Sequence, residues 1–142
     1  MFSEKNALTP GMIEAKGWIA VEAAFDEDDL YNLKQKKAVS DVVLLLDSVK
    51  GHNQFFELKN LNGNFTLYIG LSHNHDNGYW EMLYKLMEDI CTAAPGSYGM
   101  LHVRLPEDEL SWNHFAIWKI ARGMLTVEED LLFSPCRPVI ED

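Results

Sequence analysis

Asn62-Gly63 stands between two runs in which apolar and polar residues alternate, and this dipeptide restricts the fold more than any other feature of the chain. Two-residue hairpin turns whose twist matches their strands need positive φ at one or both central positions. Asn and Gly accept that conformation and most residues resist it. Gln54–Asn60 and Asn64–Ser72 are therefore read as antiparallel strands joined across Leu61-Asn62-Gly63. In the second arm Phe65, Leu67, Ile69 and Leu71 fall on one side, so one face of a sheet must be covered.

Helical spacing supplies the cover. Tyr79, Met82, Leu83, Leu86, Met87, Ile90, Cys91 and Ala94 make an unbroken stripe, predicting a helix over Gly78–Ala94 that Pro95-Gly96 ends. An earlier helix is expected from Asp26-Glu27-Asp28-Asp29 to about Lys50, with the stripe Leu30, Leu33, Ala38, Val42, Leu45, Leu46 and Val49 and a stop at Gly51. Its four acids suit a helix N-terminus, where they complement the dipole and cap free N–H groups. A strand over Gly17–Phe25 precedes it, with Ile19, Val21, Ala23 and Phe25 on one face and Trp18 and Glu22 on the other. Two further strands are read at Tyr98–Leu105 and Trp112–Arg122, joined by the acidic loop Pro106-Glu107-Asp108-Glu109, with Met124-Leu125-Thr126 as a short extension. Pro135 and Pro138 bar the tail Phe133–Asp142 from a helix or central strand.

The order β-α-β-β-α-β-β predicts the α+β class, an antiparallel or mixed sheet of about five strands with both helices on one face. Its first six elements match the split arrangement of ferredoxin-like folds. Residues 1–13 read as an N-terminal extension and 14–142 as one domain.

Charge narrows the function. Twelve Lys and Arg against 22 Asp and Glu give a net charge of −10. Nucleic-acid and anionic-membrane binders need clustered positive charge, so neither partner is expected. The longest apolar run, Val42–Leu46, is far below a bilayer span, and the N-terminus shows no secretory signal. Cys91 and Cys136 make neither a disulfide framework nor a four-ligand zinc pattern. A cytoplasmic protein is the expectation.

Catalytic constellations are sparse. His73-Asn74-His75-Asp76 sets two imidazoles two residues apart, which on a strand share a face and, with Asp76, suit a metal ion. The opposing reading puts His73 at the core margin, hydrogen-bonded to the next helix or its loop. No Gly-x-Ser-x-Gly elbow marks Ser97 or Ser134, and Cys91 sits on an apolar stripe where a thiol is inert. Gly96-Ser97-Tyr98-Gly99 leaves a helix for a strand, the reverse of a phosphate-binding loop. No cofactor is implied.

Partner contacts have more candidates. Beyond residue 104, Glu107, Asp108, Glu109, Glu128, Glu129, Asp130, Glu141 and Asp142 face only Lys119, Arg122 and Arg137. Such an asymmetry suits either solubility or steering of a basic protein. Trp80 and Tyr84 lie four apart, off the core stripe of the second helix. Trp112 and Trp118 share a face of the last strand. Trp and Tyr are favoured anchors of protein interfaces.

Four stretches, in order, give the chain a resemblance. They are Gly17-Trp18-Ile19, His73-Asn74-His75, Ala94-Pro95-Gly96-Ser97-Tyr98-Gly99 and Ser134-Pro135-Cys136-Arg137-Pro138-Val139-Ile140-Glu141-Asp142. With them the sequence resembles the immunity protein 7 family of bacterial polymorphic toxin systems over about Lys16 to Asp142. The resemblance implies a small α+β cytosolic protein that binds a cognate toxin domain and blocks it, with no catalytic residues of its own. The first reading is thus a toxin inhibitor whose acids pair with a basic toxin surface, such as that of a nuclease. Its proposed contacts are Glu107, Asp108, Glu109, Trp112, Glu128, Glu129, Asp130, Trp80 and Tyr84. The alternative is a small metal-dependent enzyme built on His73, His75 and Asp76.

Overall fold

Asn62 and Gly63 take φ values of 57° and 86°, both positive, and close the expected hairpin between β2 (Gln54–Leu61) and β3 (Asn64–His73). The structure, a computed structural model, describes residues 13–24, 29–75, 77–104 and 115–132. Its other elements are β1 (Ile13–Ala20), α1 (Tyr31–Asp47), α2 (Tyr79–Ala93), β4 (Tyr98–Arg104), β5 (Ala116–Ala121) and β6 (Met124–Glu129).

The six strands form one sheet in the order β2-β3-β1-β4-β5-β6, every neighbouring pair antiparallel. Its β2-β3-β1-β4 portion, with α1 and α2 as the crossovers, has the ferredoxin-like arrangement. The last two strands continue the sheet beyond β4. Met124-Leu125-Thr126 proves to be the start of a full sixth strand, reached through a second two-residue turn in which Arg122 (φ 54°) and Gly123 (φ 74°) are both left-handed. An Arg at positive φ gives no turn signal, so the sequence pattern ends the strand at Arg122 with Met124-Leu125-Thr126 as a short extension.

Strand register sorts the side chains. On the helix-covered side lie Ile13, Ala15 and Ile19 of β1, Leu67, Ile69 and Leu71 of β3, Leu101 and Val103 of β4, and Trp118 and Ile120 of β5, all buried. Ile13, expected in the N-terminal extension, is the first residue of β1 and fully buried. Leu83, Leu86, Met87, Ile90 and Cys91 press down from α2 in the stripe the sequence predicted.

The first helix departs from expectation. Only Ala38, Val42 and Leu46 within α1 are buried, whereas Leu30 and Leu33 are 57% and 69% exposed. Leu33 precedes Ala38 by five positions, which turns it about 140° away from the core stripe. Gln35 takes the inward place. Its Nε2 donates to Val21 O at 2.8 Å and its Oε1 accepts from Ala23 N at 2.7 Å, so the helix start is tied by polar contacts to the segment that follows β1. Tyr31 O–H donates to the Glu22 carboxylate beside them. The helix begins at Tyr31, with Leu30 as an N-cap that has no side-chain cap hydrogen bond; Asp29 precedes it, and Asp26, Glu27 and Asp28 lie outside the described residues. It ends at Ser48, before Gly51, with Ser48 N–H and Oγ–H both directed at Leu45 O.

Two glycines let β1 and β4 approach closely. A Cβ on Gly17 would sit on Met100 O, and one on Gly99 on Trp18 O, each inside 3.0 Å. A third, Gly96, rests against the Ala24 backbone and donates its N–H to Glu22 O at 3.0 Å. Next to it the buried Ser97 hydroxyl accepts from Glu22 N at 3.0 Å. The Pro95-to-Gly99 segment is therefore a seam that locks the end of β1 to the start of β4, with the anion-cradle reading already excluded by its direction.

Candidate binding surface

The sheet has a second side, which neither helix covers. Register places Tyr68, Trp18 and Met100 in one row across β3, β1 and β4. Phe55 lies over Gly70, its ring filling the space where a Cβ would stand. Tyr98 meets Trp18 edge to face with ring centroids 6.2 Å apart. These are large apolar groups held in water: Trp18 is 40% exposed, Tyr68 37%, Phe55 48% and Tyr98 53%.

Charges on the same side are matched locally. Lys16 lies 3.1 Å from Glu14, Lys59 3.6 Å from Glu57 and Lys119 3.5 Å from Glu128. Arg104, buried at the foot of β4, reaches Glu14 at 3.2 Å. Beside it His102 Nε2 meets the buried Asp130 carboxylate, and the His102 ring stacks on Phe115 at 4.0 Å. Each exposed lysine among the described residues of this face thus has a glutamate beside it.

The sequence-predicted contacts fall in several places. Glu128 and Glu129 are exposed on β6, Glu128 facing Lys119. Asp130 does not join them. It is 2% exposed, holds His102, and accepts from Leu132 N at 2.9 Å, so it braces the end of the sheet and offers no carboxylate to a partner. Glu107, Asp108, Glu109 and Trp112 lie outside the described residues.

Trp80 and Tyr84 are half-buried. They stack on each other at 5.5 Å and meet Trp118 edge-on at 6.4 and 5.4 Å. Trp118, which alternation sets on the same strand face as Trp112, is fully buried. Its partner across β4 is Leu101, which puts it under α2. The three rings fill the space where the sheet extends past β4, so the aromatic pair of the second helix serves packing there.

His73 is buried at the end of β3, as the core-margin reading expected. Its ring lies flat on Tyr79, the first residue of α2, at 3.6 Å. Gln54 Nε2 donates to Val49 O, leaving Gln54 Oε1 to accept from His73 Nε2 at 2.7 Å. That nitrogen is engaged, and burial lowers the His73 pKa from 6.5. The strand stops at His73, so His75 is exposed beyond it and the shared-face premise of the metal reading fails. Asp76 is outside the described residues. Among the described residues no group of three or more His, Cys, Asp or Glu is placed to hold a metal ion. Burial, with Glu88 adding to it, pushes the Cys91 thiol up, in line with an inert packing role. No helix among the described residues is long and apolar enough to cross a membrane.

A six-stranded antiparallel sheet with one helix-covered side defines an α+β protein that, among the described residues, leaves Trp18, Tyr68, Phe55 and Tyr98 exposed on the side away from the helices. The chain belongs to the immunity protein 7 family, whose sequence profile matches residues 12–142, nearly its whole length. Membership implies an immunity protein acting against a toxin. No curated protein and no solved structure gives a significant match.

The sequence reading missed the sheet face. It placed Trp18 opposite Ile19 correctly, but only the register with Tyr68 and Met100 turns one exposed Trp into a patch. Alternation in β3 carried a partial signal, since Tyr68 stands between Leu67 and Ile69.

Proposed function

We propose that this protein neutralises a cognate bacterial toxin by binding its toxic domain and covering the active surface. The family match over residues 12–142 carries the reading. Occlusion requires no chemistry from the inhibitor, so the proposed protein is neither an enzyme nor dependent on a cofactor. It acts in the cytoplasm as one domain, where a toxin that reaches or is made in the cell meets it.

The net charge of −10 supports a toxin with a basic surface, such as a nuclease. Acids at Glu107, Asp108, Glu109, Glu128 and Glu129, with Trp112, are proposed to steer the encounter and line the rim of the contact. Rim charges act mainly on association rate and its salt dependence.

Co-expression with the C-terminal domain of the toxin encoded by the adjacent gene tests the reading. Growth should be restored, and the two proteins should purify together. An intact, well-expressed protein that neither rescues growth nor forms the complex overturns it.

A further inference from the structure

We infer that the toxin docks on the open face of the sheet, with Trp18, Tyr68 and Tyr98 as its anchors and Phe55 and Met100 completing the patch. This rests on the immunity reading and adds the place of contact. Protein interfaces concentrate binding energy in a few large aromatic groups surrounded by groups that exclude water. The open face has that build, with rings on the three strands β3, β1 and β4 and lysine–glutamate pairs around them. The helix layer does not match it, because its aromatic cluster of Trp80, Tyr84 and Trp118 is engaged in packing.

Charge selects the occupant. Aromatic rings on the central strands of such a sheet are also how some modules stack single-stranded RNA bases. Those surfaces bring lysines and arginines to the phosphates, whereas here Lys16, Lys59 and Lys119 each lie against a glutamate on a chain of net charge −10. A second copy of the same chain is repelled by the same net charge. A protein domain of net positive charge that presents an apolar, near-neutral patch is attracted at long range and meets, among the described residues of the face, lysines already matched by glutamates. The occupant is therefore the toxin domain itself.

The test is affinity of an inactivated toxin domain for purified Trp18→Thr, Tyr68→Thr and Tyr98→Thr, with Leu33→Ala and Leu44→Ala on the exposed side of α1 as controls. Threonine keeps strand propensity, and circular dichroism with urea unfolding establishes that each variant is folded. Trp18→Thr should weaken binding roughly thirtyfold or more, the double variant with Tyr98→Thr further, and the controls less than about threefold. Wild-type affinity in the folded double variant overturns the docking site and leaves immunity standing. Loss confined to the α1 variants does the same. If the wild-type protein neither binds nor neutralises the toxin, both readings fall together. Light scattering that shows a wild-type dimer reverting to monomer in Trp18→Thr, with toxin affinity unchanged, assigns the face to self-association and overturns the proposal. So does binding of a single-stranded RNA oligomer that is lost in the same variant.

Discussion

On β1, Ile19 and Trp18 are consecutive residues with the same backbone and different surroundings. Ile19 is fully buried beneath the helices, while Trp18 is 40% exposed on the other side of the sheet. The same division runs through β3, where Leu67 and Ile69 flank Tyr68, and through β4, where Leu101 lies between Met100 and His102. The covered side gains stability because helices remove its apolar area from water. The open side leaves its rings partly exposed, and on the docking proposed above stability and recognition are carried by alternate residues of the same strands.

Truncation should separate the two sides most sharply. Trp118→Ala removes a fully buried ring from the join of α2, β5 and β6, at an expected cost of about 3–5 kcal/mol in urea unfolding. Trp18→Thr, the same residue type on the open face, should cost about 1 kcal/mol or less. Equal losses would erase the distinction between the faces.

Gly17→Ala probes the narrow gap between them. Its methyl would enter the backbone of Met100 and Leu101, which cannot move without parting β1 from β4. A loss of about 1–3 kcal/mol or more is expected, measured by the same unfolding curves. Gly63→Ala should cost less, since open space surrounds that glycine and only its left-handed φ of 86° is strained.

A smaller effect distinguishes polar from apolar residues on α1. Gln35→Ala leaves Val21 O and Ala23 N without their partner and should lower stability by about 1–2 kcal/mol. Leu33→Ala, which removes more apolar atoms from an exposed position, should change it by about 0.5 kcal/mol or less.

The smallest expected effect is the pH dependence from His73. Burial holds its pKa below 6.5, so between the two values the unfolded chain binds a proton that the folded protein does not. Stability from this group is complete above the unfolded value and declines as pH falls through the folded one. Thermal unfolding at about pH 7.5 and 5.5 should show a larger loss in the wild type than in His73→Asn. Identical losses in the two proteins would mean that His73 titrates alike folded and unfolded.

Much of the fold was legible because local pattern and final burial agree. Asn62-Gly63 forms its hairpin, and the stripe of α2 from Leu83 to Cys91 is the one that packs. Legibility failed where a residue's role depends on a distant neighbour. Leu33 looks like core until Gln35 finds Val21 and Ala23, and Asp130 looks like one more surface acid until His102 arrives from β4. Trp80 and Tyr84 look like spare aromatics until Trp118 stands beneath them.

The sequence by itself determined the α+β class, the order of the first elements, the acidic net charge and, through its four stretches, the family. Those properties follow from spacing and composition, which are local or additive along the chain. Only the tertiary structure decided which side of the sheet stays open and which aromatics stand together on it. Alternation makes two faces but does not say which one the helices will cover. Register across β3, β1 and β4 then brings Tyr68, Trp18 and Met100 into one row from positions far apart in the chain. That juxtaposition exists only after the strands have paired, because hydrogen-bonded register, and not sequence separation, sets which side chains become neighbours.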